Sequence, residues 1–353
     1  MLHSLSHLLC LILPVSTCLF LANGPHDIPG ALAWTIPFWI VLLLDWRGPK
    51  AVHPAKAARS SLFYDGILYG LCLLQLANIW LMLDYVGKLP WHSVHDIGTG
   101  LINLIILRFM VGTSSGTSGI VVAHELIHRS AWVMQQLGRL LLCTVCYDHF
   151  FITHKQGHHP SLGMSDDIAT ARLGESFNDY WRRVYFGYFR FAWQSERSRL
   201  AAEALTGPLK LLRNRVLQGV AIELLLIALI LTLLGWLPVL MFLYQALAAV
   251  RILEAVNYFQ HWGLNEGRFG HSFGWVTDSW MTRYALIGLS NHIGHHENEN
   301  RHFHEIAYSN QGPRLPYGYF VMNLWVKLNN ASFRRMALNQ LRLFRHSQLS
   351  SSR

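Results

Sequence analysis

Long apolar stretches alternate with short polar ones over the first two thirds of the chain. Runs long enough to cross a bilayer fall at roughly 4–22, 29–45, 62–86, 97–123, 215–235 and 237–260. They carry few Asp, Glu, Lys or Arg, so a buried backbone there must satisfy its own hydrogen bonds, as a helix does. The second run is short and close to the first, which suggests a hairpin. The first run has no charged leading segment and no clear cleavage site, so it reads as a retained helix. The stretch 124–214 breaks the pattern and is too long for a structureless loop. Within it, "AWVMQQLGRLLLCTVC" (131–146) and "FNDYWRRVYFGYFRFAWQSERSRLAAEAL" (177–205) have apolar or aromatic residues at helical spacing and read as amphipathic helices. The tail "HSQLSSSR" is expected to fray. The pattern predicts an all-α integral membrane fold in a single membrane domain, 1–353. About six transmembrane helices would carry a helical cap built from 124–214 and 261–353.

Composition sharpens this picture. The chain is 52% hydrophobic and only 14% charged, where a soluble domain carries about a quarter charged residues. Positive residues set the orientation. Arg47, Lys50, Lys56 and Arg59 lie between the second and third runs, and 124–214 is rich in Arg, whereas "NGPHDI" and "GWLP" have no Lys or Arg. Both termini and the cap are therefore expected on the cytoplasmic side of a bacterial-type inner membrane. The net charge of +9 is mostly this asymmetry. A nucleic-acid footprint is excluded, since no basic stripe with interleaved aromatics stands on a separable soluble domain. Five scattered cysteines make no disulfide framework. The lone "CTVC" of Cys143 and Cys146 has no second pair to complete a metal site and reads as helix packing.

Histidine is the outlier, with 20 in the chain. His124 and His128 sit in "AHELIHRS", His154, His158 and His159 in "FITHKQGHHP", His261 in "NYFQHWGL", and His292, His295 and His296 in "SNHIGHHENEN". The pairs 124/128, 154/158 and 292/296 are i,i+4 and project from one helix face. His159 and His295 adjoin two of those pairs, and neighbours on a helix diverge, so they can serve a second ion. All four groups fall at one membrane edge. Nine imidazoles exceed the capacity of one ion and suit two, with imidazole compatible with Fe, Zn and Cu alike. "HELIH" also fits the zinc metalloprotease pattern H-E-x-x-H, but a zincin leaves the other groups unexplained. A metal transporter would carry its ligands through the bilayer midplane.

At these residues the chain resembles the membrane-bound histidine-box di-iron superfamily of fatty acid desaturases, alkane hydroxylases and xylene monooxygenases. The alkane hydroxylase patterns HELxHK, EHxxGHH, NYxEHYG and RHSDHH are similar to 124–129, 153–159, 257–263 and 291–296, and "ATARLGES" (169–176) is also like that branch. The similarity of plan extends over roughly 29–325. The resemblance implies two non-haem iron ions held by the nine histidines, with O2 as oxidant. Thr153 and Gln260 stand where the hydroxylase pattern has glutamates, Asn291 where it has arginine, and Gly294 where it has aspartate. Lost acids alter the groups that orient ligands. Glu125, Asp167, Glu175, Glu297 and Glu299 are the acids near enough in sequence to take over. Gly157 is expected to let a neighbour approach the backbone.

Charges inside the apolar runs bear on substrate. Arg108, Arg251 and Glu254 lie within expected spans, and 251, 254, 258 and 261 follow helical spacing. Arg251, Glu254 and Tyr258 are therefore candidates to bind a substrate head group on the face of His261. The structural alternative is an Arg251–Glu254 pair, or Glu223 meeting Arg108 or Arg251. A hydrocarbon needs no arginine, so the sequence favours a medium-chain fatty acid. The expected reaction is its oxidative decarboxylation to a terminal 1-alkene and CO2, as in the 1-undecene-forming membrane fatty acid decarboxylases, which this chain resembles in size. Terminal hydroxylation of an alkane or acid, or desaturation, is the alternative. The sequence holds no flavin, NAD or iron–sulfur motif, so a ferredoxin or rubredoxin with its reductase is the expected electron donor, steered by the basic face.

Overall fold

The computed structural model describes residues 2–51, 61–164, 166–203, 207–264 and 273–351; Lys56 and Arg59 lie outside them. Six helices among the described residues are long and apolar enough to span a membrane: α1 (Ser6–Asn23), α2 (Ile28–Arg47), α3 (Ser61–Gly87), α4 (Val94–Ile127), α8 (Arg215–Leu234) and α9 (Trp236–His261). Each coincides with an expected apolar run. Between them lie α5 (Trp132–Cys143), α6 (150–161) and α7 (Phe177–Ala202). After them come α10 (Trp280–Ala285), α11 (His292–Glu297), α12 (Tyr319–Leu328) and α13 (Asn330–Ser351). The described residues form no strand, only two isolated bridges. The protein is a multi-pass, all-helical membrane protein.

Local signals start and stop these helices. Ser93 and Asp96 form a reciprocal capping box at the start of α4. The turn between α8 and α9 needs a positive φ, supplied by Gly235 at φ 91°. On α7 the residues Phe177, Tyr180, Val184, Tyr188 and Ala192 are buried at helical spacing, while Arg182, Arg190 and Arg197 stay exposed. α13 runs to Ser351, so the described part of the tail expected to fray continues that helix; its last two residues lie outside the described ones. Cys143 and Cys146 are free thiols.

The site depends on the contact between α4 and α9, because both end in candidate ligands. Small residues bring them together. A Cβ on Gly112 would lie 2.8 Å from the Ala248 Cβ, and one on Gly116 would lie 2.9 Å from the Ile252 Cβ, the close approach that small-xxx-small spacing allows. α12 runs antiparallel to α9, with Gln260 bonded to the Tyr319 hydroxyl at one end and Asn323 to the Ile252 carbonyl at the other. Asp45, buried at the end of α2, accepts from Ser279, Thr282 and the Val321 N–H and ties the cap to the bundle. The outer faces of α8 are left to lipid, with Leu224, Leu225 and Leu233 exposed.

Candidate metal centre

The nine histidines meet in two groups. His124, His128, His154, His159 and His295 form one, and His158, His261, His292 and His296 the other, with the ligand atoms of each group within 4.8 Å of one another. The assignment of neighbours to different groups follows from helix geometry. His124/His128 and His292/His296 are i,i+4 and share a group in each case. In the second box the pairing changes: His154 joins His159, and His158 goes to the other group. The reason is a π-helical turn over Thr153–His158, whose i→i+5 bonding stacks residues five apart. A second π turn, Ser115–Gly119, sits in α4 just before the first box. Gly157 lies against the Phe191 ring, to which a Cβ would come within 2.9 Å, so this turn packs closely on α7.

The geometry within each group fits ions. His128 Nε2 and His154 Nε2 lie 3.0 Å apart, as do His154 Nε2 and His159 Nε2. His261 Nε2 is 2.9 Å from His292 Nε2, which is 3.1 Å from His296 Nε2. Two nitrogens each about 2.1 Å from one ion, at right angles, have this separation. The outward nitrogens fix the tautomers. His158 Nδ1 donates to Asp167 Oδ2 at 3.0 Å and His261 Nδ1 to the Phe273 carbonyl at 2.8 Å, leaving each Nε2 as a lone pair aimed inward. The Nε2 atoms of His158 and His295 are buried without a hydrogen-bond partner, a cost that a cation between the rings removes. Burial pushes His128, His154, His159, His292 and His296 well down from the usual histidine range and His295 down to about 4. The rings are therefore neutral ligands at physiological pH.

Of the nearby acids, the structure brings two to the histidines. Asp167 binds His158 and also accepts from Thr170 and the Ala169 N–H. Burial works against its charge, but His158 and the Thr170 hydroxyl outweigh that and hold the carboxyl below its usual range. Glu299 Oε2 lies 2.8 Å from His159 Nδ1 and 3.6 Å from His128 Nδ1. The others go elsewhere. Glu125 pairs with Arg129 at 2.9 Å and accepts from the Phe303 N–H. Glu175 is held bidentately by Arg183, and Glu297 is exposed. Where the hydroxylase pattern has aspartate, Gly294 leaves no room: a Cβ would lie 2.2 Å from the Ala307 carbonyl oxygen. Gln260 and Asn291 hold the scaffold, through Tyr319 and through Arg283 and the Ile306 carbonyl.

The expected face of α9 divides. Glu254 is fully buried and accepts from Tyr147, Tyr180 and Asn257. Tyr258 donates to the Glu175 carbonyl. Neither meets Arg251, whose guanidinium stacks over Phe177 and Trp181. Glu223 accepts from the Asp148 N–H, so neither internal ion pair considered from the sequence forms. Spacing alone missed this, because Tyr147 comes from the turn after α5 and Tyr180 from α7.

Arg251 instead lines a cavity of about 300 Å³ running between α4, α9 and α12, with Arg108 and Lys327 also in its wall. Its other walls are mostly apolar. Val121 and Leu289, at its upper end, also line a small space bounded by His124, His292 and His295. The cavity thus adjoins, through these two residues, the space beside both histidine groups.

Sequence comparison supplies relatives for this chain. The model of the fatty acid desaturase family matches residues 99–323. The chain is 30% identical to alkane 1-monooxygenase 2 of Pseudomonas aeruginosa over 305 residues, covering 83% of this chain and 80% of that one. It is 34% identical to alkane 1-monooxygenase 1 of the same organism over 59% of this chain and 56% of that one. It is 28% identical to the xylene/toluene monooxygenase hydroxylase component XylM of Pseudomonas putida over 57% and 55%. With these relatives, and with nine histidines meeting in two groups beside a mostly apolar cavity, the chain belongs to the fatty acid desaturase family, the membrane-bound histidine-box superfamily of O2-dependent di-iron oxidoreductases.

Proposed function

We propose that the protein is a membrane monooxygenase that inserts oxygen into a C–H bond of a medium-chain alkyl substrate, terminal hydroxylation being the reading best supported. The observation that carries it is the mostly apolar cavity adjoining the space beside the two histidine groups, together with relatives named alkane 1-monooxygenases. In this reading His124, His128, His154, His159 and His295 hold one iron and His158, His261, His292 and His296 the other. Bound iron supplies the reduction of O2 and the oxidant for the C–H bond. The chain's own part is to hold the rings neutral, with Asp167, Glu299 and the Phe273 carbonyl orienting them. Apolar walls keep water away and aim the chain end at the metals.

A second reading, oxidative decarboxylation of a fatty acid to a 1-alkene, shares the acid substrate that the cations in the cavity suggest. The two readings differ in which end of the substrate faces the histidines. Both need two external electrons per turnover, and we assign them to a rubredoxin- or ferredoxin-type donor docking on the cap. The arginines of α7 and the positive-inside pattern support a cap on the cytoplasmic side of an inner membrane. The test is purified protein with donor, reductase and O2, supplied with dodecane or dodecanoic acid, followed by gas chromatography and metal analysis. Terminal alcohol with two irons per chain is the expected result. Zinc as the only bound metal, or no oxidised product from either substrate in iron-loaded protein, contradicts the reading.

A further inference from the structure

The cavity holds three cations and no paired acid. Arg108, Arg251 and Lys327 all line it, and among the described residues none of them makes an ion pair. Arg108 Nε is buried without a hydrogen-bond partner, and its guanidinium stacks on Tyr244. The acid closest in sequence, Glu254, is turned to Tyr147 and Tyr180. Burial first, and then the charges of Arg251 and Arg108, push the Lys327 ammonium down to about 7, so the three groups act on one another. Uncompensated cations in an apolar, lipid-surrounded space are costly and call for an anion.

Their position is informative. On α9, Arg251 lies ten residues before His261, about 15 Å along the helix; on α4, Arg108 lies sixteen before His124, about 24 Å. Between the two ends the wall is mostly apolar, with Phe109, Val121, Ile252, Val256 and Leu289 beside Thr113 and Thr117. We propose that Arg108, Arg251 and Lys327 bind the carboxylate of a medium-chain fatty acid, so that the end of its chain remote from the carboxylate reaches the histidine groups. This rests on the monooxygenase reading for its chemistry and deepens it: the favoured product is the terminally hydroxylated acid. The terminal C–H bond breaks and a C–O bond forms with one atom of O2. The other atom leaves as water, with two electrons from the iron–sulfur or rubredoxin-type donor and two protons. Decarboxylation would require the carboxylate end at the metals instead.

Binding separates the anchor from the chemistry. Displacement of labelled dodecanoate by unlabelled dodecanoate, methyl dodecanoate or a phosphatidylglycerol is measured on the purified protein and on Arg251→Met, Lys327→Met and Arg108→Gln, with iron content and monodispersity as the check of folding. Dodecanoate should bind at least about tenfold more weakly to the variants, and the acid-to-alkane ratio of kcat/KM should fall similarly. Arg251→Lys, which keeps the charge, should retain much of the acid preference. Cation-dependent acid binding without turnover would leave the anchor standing and remove the oxidase reading. Equal dodecanoate affinity in folded variants, displacement by phosphatidylglycerol as effective as by the acid, or 1-undecene as the product would overturn the anchor.

Discussion

At the scale of single residues, the convergence of the histidines could be read from the four motifs and the placing of the acids around them could not. Histidine pairs four apart announce their shared face, and all nine candidates converge. Asp167 and Glu175 lie in one loop and look alike in sequence, yet Asp167 meets His158 while Arg183 captures Glu175. Asp167→Asn keeps the shape and removes the charge opposite the His158 N–H; metal affinity or turnover should fall about 10- to 100-fold, read as iron retained after dialysis. His149 gives a pH prediction away from the metals. Its ring is buried against Tyr147 and Phe189, and burial lowers it from 6.5 to about 4. Between those values the unfolded chain binds more protons, so stability is full above pH 6.5 and falls as pH drops toward 4. His149→Phe should flatten the fall of Tm over that window by a few degrees, measured by thermal unfolding in detergent.

At the scale of elements, helical periodicity found the spans but not the two π turns, Ser115–Gly119 and Thr153–His158. Each depends on one inserted residue, which neither composition nor hydropathy reveals. It decides that His154 shares a group with His159 and not with His158. Periodicity likewise set Arg251 and Glu254 on one face of α9, and partners from other helices parted them. The α4–α9 contact is the element-level feature on which the site depends. Gly112→Val forces a branched side chain against Ala248 and should destabilise the protein by about 1–3 kcal/mol, with iron occupancy falling as His124 and His261 move apart. Ala248→Gly added to that variant should restore part of both. Thermal unfolding and iron content on the four proteins of this double-mutant cycle check the coupling.

At the scale of the whole molecule, the architecture was legible because lipid allows few solutions: six apolar runs became six helices. The intramembrane cations pointed to an acid, but their place at the end of the cavity remote from the histidines required the fold. Donor docking also belongs to this scale. Exposed Arg172, Arg182, Arg190 and Arg197 line the start of the cap and α7. The KM for an acidic protein donor should therefore rise about tenfold or more from low to high ionic strength while kcat changes little, followed by steady-state turnover against salt.

The most direct single test is mass spectrometry of the product formed from dodecanoic acid under isotopically labelled O2. The expected product is the terminally hydroxylated acid, its carbon chain intact and its new oxygen taken from O2. A product that has lost its carboxyl carbon, or one whose new oxygen comes from water, would contradict it.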